Sequence, residues 1–203
     1  MISQQSPLVL ASSSPRRKEL IELLHIPFFI HSVETEERIS PGTSPQDAVF
    51  CLARQKAQAS FEDLGKDLVY LGSDTIVVLD GQIFGKPSSL QEAKSMLQTL
   101  SGKTHQVYTG LCLLNPSQKQ EAGDVCKSDI TIAKLSEADI DFYLSCGESM
   151  DKAGAYGIQG AFAAFVPQID GCYYNIMGLP LYTLRQLLQR ENLFDFAQLA
   201  KDA

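Results

Sequence analysis

Three consecutive serines followed by two arginines form the first group of side chains that could do chemistry. The serines occupy positions 12–14, and Pro15 separates them from Arg16 and Arg17. Proline suits the first position of a helix, so the arginines fall in its first turn, where the helix dipole is already positive. Hydroxyls, backbone N–H groups and guanidiniums at a helix start favour an anion such as phosphate. The alternative is that the serines only cap the helix and the arginines point into solvent.

Two carboxylates and two lysines elsewhere in the chain could complete such a site. Glu37 and Asp74 carry oxygen donors of the kind that Mg²⁺ prefers when it also contacts substrate phosphates. Lys56 and Lys86 supply further cations that could neutralise a polyphosphate. Metal-assisted hydrolysis of a phosphoanhydride needs this combination of a metal, an activated water and positive charge. Each residue taken singly also suits an ordinary role in a loop, a turn or an exposed helix face.

Short apolar runs and amphipathic segments alternate in the first half of the chain and must position these residues. The predicted strands are 8–11, 28–33, 68–79 and 82–84, and the predicted helices are 15–24, 45–61 and 89–100. Glu37 and Lys86 follow strand ends, and Asp74 lies in an apparent interruption of the third strand at 72–75. Because ligands of open α/β sheets bind beyond strand ends, these are suitable positions for a site.

From residue 104 onward the pattern changes to consecutive strands. The predicted strands are 106–114, 124–134, 161–169 and 172–176, and helices are predicted from Ser136 and up to Leu188. The mixture of strand–helix units with consecutive strands predicts an α/β, or mixed α+β, protein with a mixed sheet. A cleft between two lobes is then the expected place for the site.

Composition is typical of a globular protein. The 203 residues carry a net charge of −7, which argues against a partner that is a nucleic acid or a membrane surface. No apolar run approaches the roughly 18 residues that a membrane helix needs, and no segment resembles a signal peptide. Five widely spread cysteines without a CxxC pair predict reduced thiols in a cytoplasmic protein.

Eight segments along the chain carry a specific combination of residues. They are Ala11-Ser-Ser-Ser-Pro-Arg-Arg-Lys-Glu-Leu, the Glu37 region, Ala53-Arg-Gln-Lys-Ala, Gly72-Ser-Asp-Thr-Ile-Val, Gly85-Lys-Pro, Leu100-Ser-Gly-Lys-Thr-His-Gln-Val, Asp151-Lys-Ala-Gly-Ala-Tyr-Gly-Ile-Gln-Gly and Asn175-Ile-Met-Gly-Leu-Pro-Leu. Together, and in this order, they resemble the Maf family of nucleoside triphosphate pyrophosphatases. The resemblance spans about residues 7–188, and only the tail at 189–203 and the turn near residues 116–123 fall outside it.

The resemblance implies a fold and an activity. The fold would be a single domain over residues 1–203 with two lobes, in which an elongated mixed sheet is flanked by helices around a central cleft, as in inosine triphosphate pyrophosphatase. The activity would be hydrolysis between the α and β phosphates, which gives a nucleoside monophosphate and pyrophosphate. The implied cofactor is a divalent metal cation, Mg²⁺ or Mn²⁺. A house-cleaning role in the nucleotide pool and a homodimer are further expectations.

Matching positions imply a role for each site residue. Asp74 would be the proton acceptor that activates water and would share in binding the metal, and Glu37 would hold the metal. Glu34 and Glu36 lie so close that the choice among the three glutamates stays open. The phosphates would be bound by Ser12, Arg17, Lys56 and Lys86.

Three further positions imply the substrate. Arg16, Thr75 and Gln159 match the branch of the family that prefers dTTP, UTP and related pyrimidine nucleotides. The branch that prefers 7-methyl-GTP carries a bulky aromatic residue in place of the first arginine. The chain therefore resembles a dTTP/UTP pyrophosphatase, with CTP and modified pyrimidine nucleotides left open as substrates.

Two other functions stay open at this point. A nucleotide-binding regulator of septum formation or cell division would bind a nucleotide without turnover. A nucleoside triphosphatase would release phosphate in place of pyrophosphate. The joint presence of Asp74, Glu37 and Lys86 favours an enzyme, because a pure binder needs neither a base nor metal ligands.

Overall fold

The computed structural model describes residues 7–36, 38–40 and 42–194, which form seven strands and six α-helices. The strands are β1 (Leu8–Leu10), β2 (Phe28–Ile30), β3 (Val69–Leu79), β4 (Gln82–Phe84), β5 (Thr104–Asn115), β6 (Gln120–Thr131) and β7 (Gln168–Asp170). The helices are α1 (Pro15–Glu22), α2 (Pro45–Leu64), α3 (Leu90–Leu100), α4 (Glu137–Ser145), α5 (Tyr173–Met177) and α6 (Leu181–Arg190).

The strands belong to one mixed sheet. Its order is β2-β1-β3-β5-β6-β7, and β4 pairs with β3 in addition. β1 pairs in parallel with β2 and with β3, whereas β3–β4 and β6–β7 are antiparallel pairs. Parallel neighbours need crossover connections, and α1 and α2 supply them after β1 and β2. The predicted mixed α/β fold, with helices beside a mixed sheet, is confirmed.

The chain divides into two compact units, each with a core of its own. Unit 1 comprises residues 1–74, 109–126 and 178–203, and unit 2 comprises residues 75–108 and 127–177. The core of unit 1 includes Val9, Ala53, Ala57, Tyr70 and Cys112. The core of unit 2 includes Leu97, Ile130, Tyr143, Tyr156 and Phe162. A single domain over residues 1–203 stays a prediction, and of its tail, residues 195–203 lie outside the described chain.

Helix α2 lies close to its predicted position because both of its ends carry strong local signals. The Ser44 hydroxyl accepts a hydrogen bond from the backbone N–H of Asp47 at 3.2 Å, and Pro45 fills the first helical position. Gly65 ends the helix in the left-handed conformation at φ 62°. The buried face carries mostly small side chains, namely Ala48, Val49, Leu52, Ala53, Ala57 and Ser60.

Three segments differ from their predicted structure. β3 continues through residues 72–75 without interruption, so Asp74 lies within a strand. Residues 161–169 and 172–176, predicted as strands, contain a 3₁₀ turn at Ala161–Phe165, the short strand β7 and the helix α5. Apolar runs of that length fit a buried strand or a buried helix equally well, so periodicity could not separate them.

None of the helices in the described part of the chain combines the length and the apolar character that crossing a bilayer requires. The five cysteines are free thiols.

Candidate active site

Asp74 is a charged residue in the interior of the sheet. It lies near the middle of β3, and only 7% of its surface is exposed. The Nζ of Lys56, on α2, forms an ion pair with Oδ1 of Asp74. Burying a carboxylate without such a partner would be strongly unfavourable. The pair therefore presents a carboxylate that already has a cation on one of its two oxygens.

The close approach of α2 to β3 explains how these two side chains meet. A Cβ atom at Gly72 would lie 1.9 Å from the carbonyl oxygen of Ala53, so glycine is needed where the helix crosses the strand. Residues two apart in a strand share one face, so Asp74 points to the same side as Gly72. Lys56 lies about one helical turn beyond Ala53. The contact that requires Gly72 thus also brings Lys56 to Asp74.

The guanidinium of Arg17 is held on two sides. Its Nη1 donates to the Ser12 Oγ at 3.1 Å, and its Nε donates to the carbonyl oxygen of Gly178 at 2.9 Å. The Ser12 hydroxyl also accepts the backbone N–H of Ser14 at 3.3 Å. Ser14 is the N-cap of α1 by position, but within the described chain its side chain makes no capping hydrogen bond. Ser12 is therefore the serine that organises this turn.

Two residues without a predicted role connect these contacts. The Oγ of Ser73, a fully buried residue, donates to the carbonyl oxygen of Gly178 at 3.0 Å. That carbonyl therefore accepts hydrogen bonds from both Ser73 and Arg17. Gly178 has a φ of 106°, which favours glycine. The sequence did signal Gly178, because it lies in the segment Asn175-Ile-Met-Gly-Leu-Pro-Leu that resembles the family. The resemblance assigned no role to this glycine.

These contacts link four of the predicted site residues within unit 1. We call Ser12, Arg17, Lys56 and Asp74 the charged cluster. Arg17 and Ser73 both donate to the Gly178 carbonyl, and Ser73 is the neighbour of Asp74 in β3, so the link from the arginine to the carboxylate runs through the backbone of that strand. The combination of cations, a hydroxyl and a carboxylate is suited to binding a phosphate and activating a water.

Of the two predicted metal ligands, Asp74 lies in the described chain and Glu37 lies outside it. Glu36 pairs with Arg38, Oε2 to Nη2 at 2.6 Å, and both side chains are exposed. Glu34 is exposed as well. Among the described residues, no group of three His, Cys, Asp or Glu side chains could hold a metal ion. A carboxylate oxygen of Asp74 fits a hard cation as one ligand of a larger set.

The remaining predicted site residues are divided between the two units. Arg16 lies half-buried in the first turn of α1 in unit 1, and the other three, Thr75, Lys86 and Gln159, belong to unit 2. Thr75 is half-buried in β3, and Lys86 is exposed after β4. The backbone N–H of Gly154 donates to the carbonyl of Gly85 at 3.0 Å, next to Lys86. The third residue, Gln159, is exposed, although the residues just before it are buried.

A buried polar pair in unit 2 was also missed by the sequence analysis. The Nε2 of His105 and the Oη of Tyr156 lie 2.6 Å apart, and neither residue is exposed by more than 5%. Burial lowers the pKa of His105 to about 4, against a smaller opposing effect of Asp129, and burial raises the pKa of Tyr156. Both side chains are therefore neutral at pH 7. Both lie in segments that carried the resemblance, but 51 residues separate them, so no local motif signalled their contact.

The sequence matches the family model described as Maf-like protein over residues 7–191. The chain belongs to this family. The match confirms the resemblance and ends at residue 191, beyond the predicted limit of 188.

Curated relatives of this Maf-like chain cover nearly all of it. It is 49% identical over 182 residues to a protein of Bacillus cytotoxicus named dTTP/UTP pyrophosphatase, covering 89% of this chain and 94% of the relative. It is 46% identical over 186 residues to a protein of the same name from Bacillus thuringiensis subsp. konkukian, covering 92% and 96%. Among solved structures, the Staphylococcus aureus Ham1 protein is similar at a TM-score of 0.46 and 15% identity, over 63% of this chain and 72% of that one.

Proposed function

We propose that this chain hydrolyses nucleoside triphosphates between the α and β phosphates, and that dTTP and UTP are its substrates. The observation that carries the proposal is the charged cluster, in which a lysine pairs with a strand carboxylate and an arginine is held by a buried serine hydroxyl. The relatives named dTTP/UTP pyrophosphatase, 46% and 49% identical over most of both chains, support the same reaction.

Asp74 acts as the general base in this reaction. The oxygen of a water forms a bond to phosphorus, the bond to the bridging oxygen between the α and β phosphates breaks, and pyrophosphate leaves. The Asp74 carboxylate takes one proton of the attacking water. With Lys56 on Oδ1, the other oxygen, Oδ2, is the one suited to receive that proton. A well-placed general base contributes roughly 10²- to 10⁴-fold to a rate.

Arg17 and Ser12 bind the phosphates, and Lys86 supplies a further cation. Two hydrogen bonds, to Ser12 and to Gly178, fix the plane of the Arg17 guanidinium before the substrate arrives. A group that is already oriented loses little conformational entropy on binding, so more of its interaction energy is available to the phosphate. Lys86, exposed after β4, can reach out to a ligand.

A divalent cation, Mg²⁺ or Mn²⁺, is the proposed cofactor. Asp74 would supply one oxygen ligand, and Glu37 would supply a second. When bound, such a cation polarises phosphate oxygens and lowers the pKa of a coordinated water. Chelation with EDTA is expected to abolish turnover, and added Mg²⁺ is expected to restore it. Glu37→Gln is expected to lose activity while Glu36→Gln keeps it, because Glu36 pairs with Arg38 at the surface; the reverse result would move the ligand to Glu36.

Arg16, Thr75 and Gln159 select the base. Guanidinium and amide N–H groups are donors that suit the two carbonyl oxygens of thymine or uracil. CTP and modified pyrimidine nucleotides would be used to the extent that they keep these acceptors.

We also propose that the protein works in the cytoplasm as a homodimer that removes unwanted nucleotides, and light scattering on the purified protein tests the dimer.

Phosphorus NMR of dTTP incubated with the protein and Mg²⁺ tests the proposed reaction. The expected products are dTMP and pyrophosphate. Release of dTDP and phosphate would make the protein a phosphatase instead. Binding of dTTP without any product would favour a nucleotide-binding regulator of cell division.

A further inference from the structure

Gln159 lies on a segment whose backbone is held from the inside of unit 2. We call residues 152–161 the Gln159 loop. Its central residues are buried, with Tyr156 exposed by 5% and Ile158 by 7%, whereas Gln159 itself is exposed. The loop contains two residues with positive φ, Gly154 at 70° and Ala155 at 63°. A conformation that includes a non-glycine residue in the left-handed region persists only where surrounding contacts impose it.

The first of these contacts is the hydrogen bond between Tyr156 and His105. The two polar atoms lie 2.6 Å apart in the core, and the rings pack edge to face with centroids 5.4 Å apart. The other imidazole nitrogen, Nδ1, is buried and has no hydrogen-bond partner among the described residues. An unsatisfied buried polar atom destabilises the folded state, and the pair therefore adds little stability over two apolar residues of the same shape. What the pair adds is direction, because a hydrogen bond fixes the position of the Tyr156 hydroxyl and an apolar contact does not.

Two further hydrogen bonds fix the backbone on either side of Gln159. The N–H of Gly157 donates to the buried hydroxyl of Tyr143 at 3.0 Å. The N–H of Ala161 donates to the carboxylate of Glu148, at 3.1 Å to Oε2. Gln159 therefore lies between two backbone N–H groups that are each bound to a side chain from outside the loop.

Two glycines of the loop lie against long side chains. A Cβ atom at Gly157 would lie 2.5 Å from Cε of Lys152, and a Cβ atom at Gly160 would lie 1.8 Å from Oε2 of Glu148. Small residues at these two positions let the surrounding side chains contact the backbone directly. Lys152 belongs to the loop and Glu148 lies outside it, so the contact at Gly160 is the one that joins the loop to its surroundings.

We infer that His105, Tyr156 and Tyr143 are positioning residues for Gln159, and that they set the affinity and selectivity of the enzyme for the pyrimidine base through the place of its amide. The inference rests on the proposed function, since it assigns a base-selecting role to Gln159. None of the three residues needs to contact the nucleotide. Their effect passes through the loop backbone to one exposed side chain.

Tyr156→Phe tests the inference by removing one hydroxyl, with Tyr70→Phe as its matched control. Tyr70 is a fully buried tyrosine of unit 1 whose hydroxyl donates to the carbonyl of Lys66 at 2.7 Å. Tyr156→Phe deletes a buried hydrogen bond and Tyr70→Phe a partly buried one, and both are expected to lower Tm by a few degrees. Tyr156→Phe is expected to raise KM for dTTP about tenfold and to leave kcat nearly unchanged, whereas Tyr70→Phe leaves both unchanged. Equal KM values in the two variants would overturn the inference.

A double-mutant cycle separates a positioning role from a general loss of stability. If Tyr156 acts through Gln159, adding Tyr156→Phe to Gln159→Ala raises KM no further than Gln159→Ala alone. If the double variant instead showed the product of the two single increases in KM, Tyr156 would act independently of Gln159, and the inference would be overturned. Tyr143→Phe is expected to behave in the same way as Tyr156→Phe and serves if the latter folds poorly.

Hydrogen exchange provides a measurement that does not depend on the reaction. In Tyr156→Phe the amides of Gly157 and Ala161 are expected to exchange at least about tenfold faster than in the wild type, while amides in α2 keep their rates. Unchanged exchange at both amides would contradict the positioning role. If the wild type failed to hydrolyse dTTP, the proposed function would fall, and the exchange data would still decide whether the pair holds the loop.

Discussion

The charged cluster in unit 1 and the Gln159 loop in unit 2 hold their functional side chains in different ways. In the cluster the functional groups contact one another directly, as Lys56 does Asp74 and Arg17 does Ser12. In the loop, Gln159 is exposed, and the backbone around it is what buried side chains hold. Direct pairing fixes two charged or polar groups against each other, whereas a held backbone sets only the position of the side chain that it carries. Substitutions of Asp74 and Lys56 should therefore lower kcat, and substitutions around Arg17 should weaken phosphate binding and raise KM. Substitutions in the loop should change KM together with base selectivity.

Replacing the Asp74 carboxylate is expected to have the largest effect. Asp74→Asn keeps the size of the side chain and removes the base, so kcat for dTTP falls by about 10³-fold. Asp63→Asn is the matched control in unit 1, because Asp63 contacts His31 at 2.9 Å on the surface, far more exposed than Asp74. Steady-state kinetics and thermal melts of both variants make the comparison. Full activity in Asp74→Asn would remove the base from the cluster.

The buried histidine gives unit 2 a pH dependence of its own. Burial lowers the pKa of His105 to about 4 in the folded protein, from an ordinary value of 6.5. Between these values the unfolded chain binds a proton that the folded protein does not. The free energy of unfolding therefore keeps its full value, as far as His105 is concerned, above pH 6.5, and it falls as the pH drops towards 4. The loss amounts to about 3 kcal/mol of unfolding free energy by pH 4.

Urea unfolding at pH 7 and at pH 4.5 measures this loss. The wild type is expected to lose more stability than His105→Gln over the same interval, because the glutamine does not titrate. The carboxylates titrate in both proteins, so only the difference between the two counts. Equal losses would mean that His105 does not contribute to the pH dependence.

Arg17→Lys tests whether the shape of the guanidinium matters as well as its charge. A lysine keeps the charge but cannot reproduce the planar pair of donors to Ser12 and Gly178, so KM for dTTP is expected to rise about tenfold. Arg54→Lys, at an exposed arginine paired with Glu121 in the same unit, is the control and should leave KM unchanged. Equal KM values in the two variants would show that only the positive charge at position 17 matters and that the shape of the guanidinium does not.

The smallest expected effect comes from Ser73. Ser73→Ala removes one of two hydrogen bonds to the Gly178 carbonyl and is expected to cost about 1 kcal/mol of stability and a few-fold in KM. Ser60→Ala is closely matched, because Ser60 is also fully buried and donates to the backbone carbonyl of His31 at 2.8 Å. Ser60→Ala should lower the stability by the same amount and leave KM unchanged. If KM changed in both variants, or in neither, Ser73 would have no specific role in supporting the charged cluster.

Local signals explain why parts of the fold were predictable. Pro15 and Ser44-Pro45 placed the starts of α1 and α2, since capping and proline preferences act within a few residues. The apparent break at residues 72–75 was wrong for a long-range reason. Gly72 lies in a continuous strand, and its small size serves the close approach of α2. No local pattern carries that information.

The site was predictable to the extent that the family resemblance named its residues. Charge and spacing alone favoured an ordinary role for each of Lys56 and Asp74, because their pairing depends on how α2 packs on β3. The roles of Ser73 and Gly178 lie in a shared carbonyl that only the folded chain creates. The contact of His105 with Tyr156 joins two strongly buried residues that no catalytic motif requires.

The central claim is that the charged cluster performs the chemistry and the Gln159 loop selects the base. Single-turnover rates for dTTP and dGTP, measured side by side with Lys56→Met and Gln159→Ala, test it most directly. Lys56→Met is expected to slow both nucleotides by the same factor of about 10², and Gln159→Ala is expected to lower the preference for dTTP about tenfold with little loss of maximal rate. A change of preference in Lys56→Met, with none in Gln159→Ala, would contradict the account.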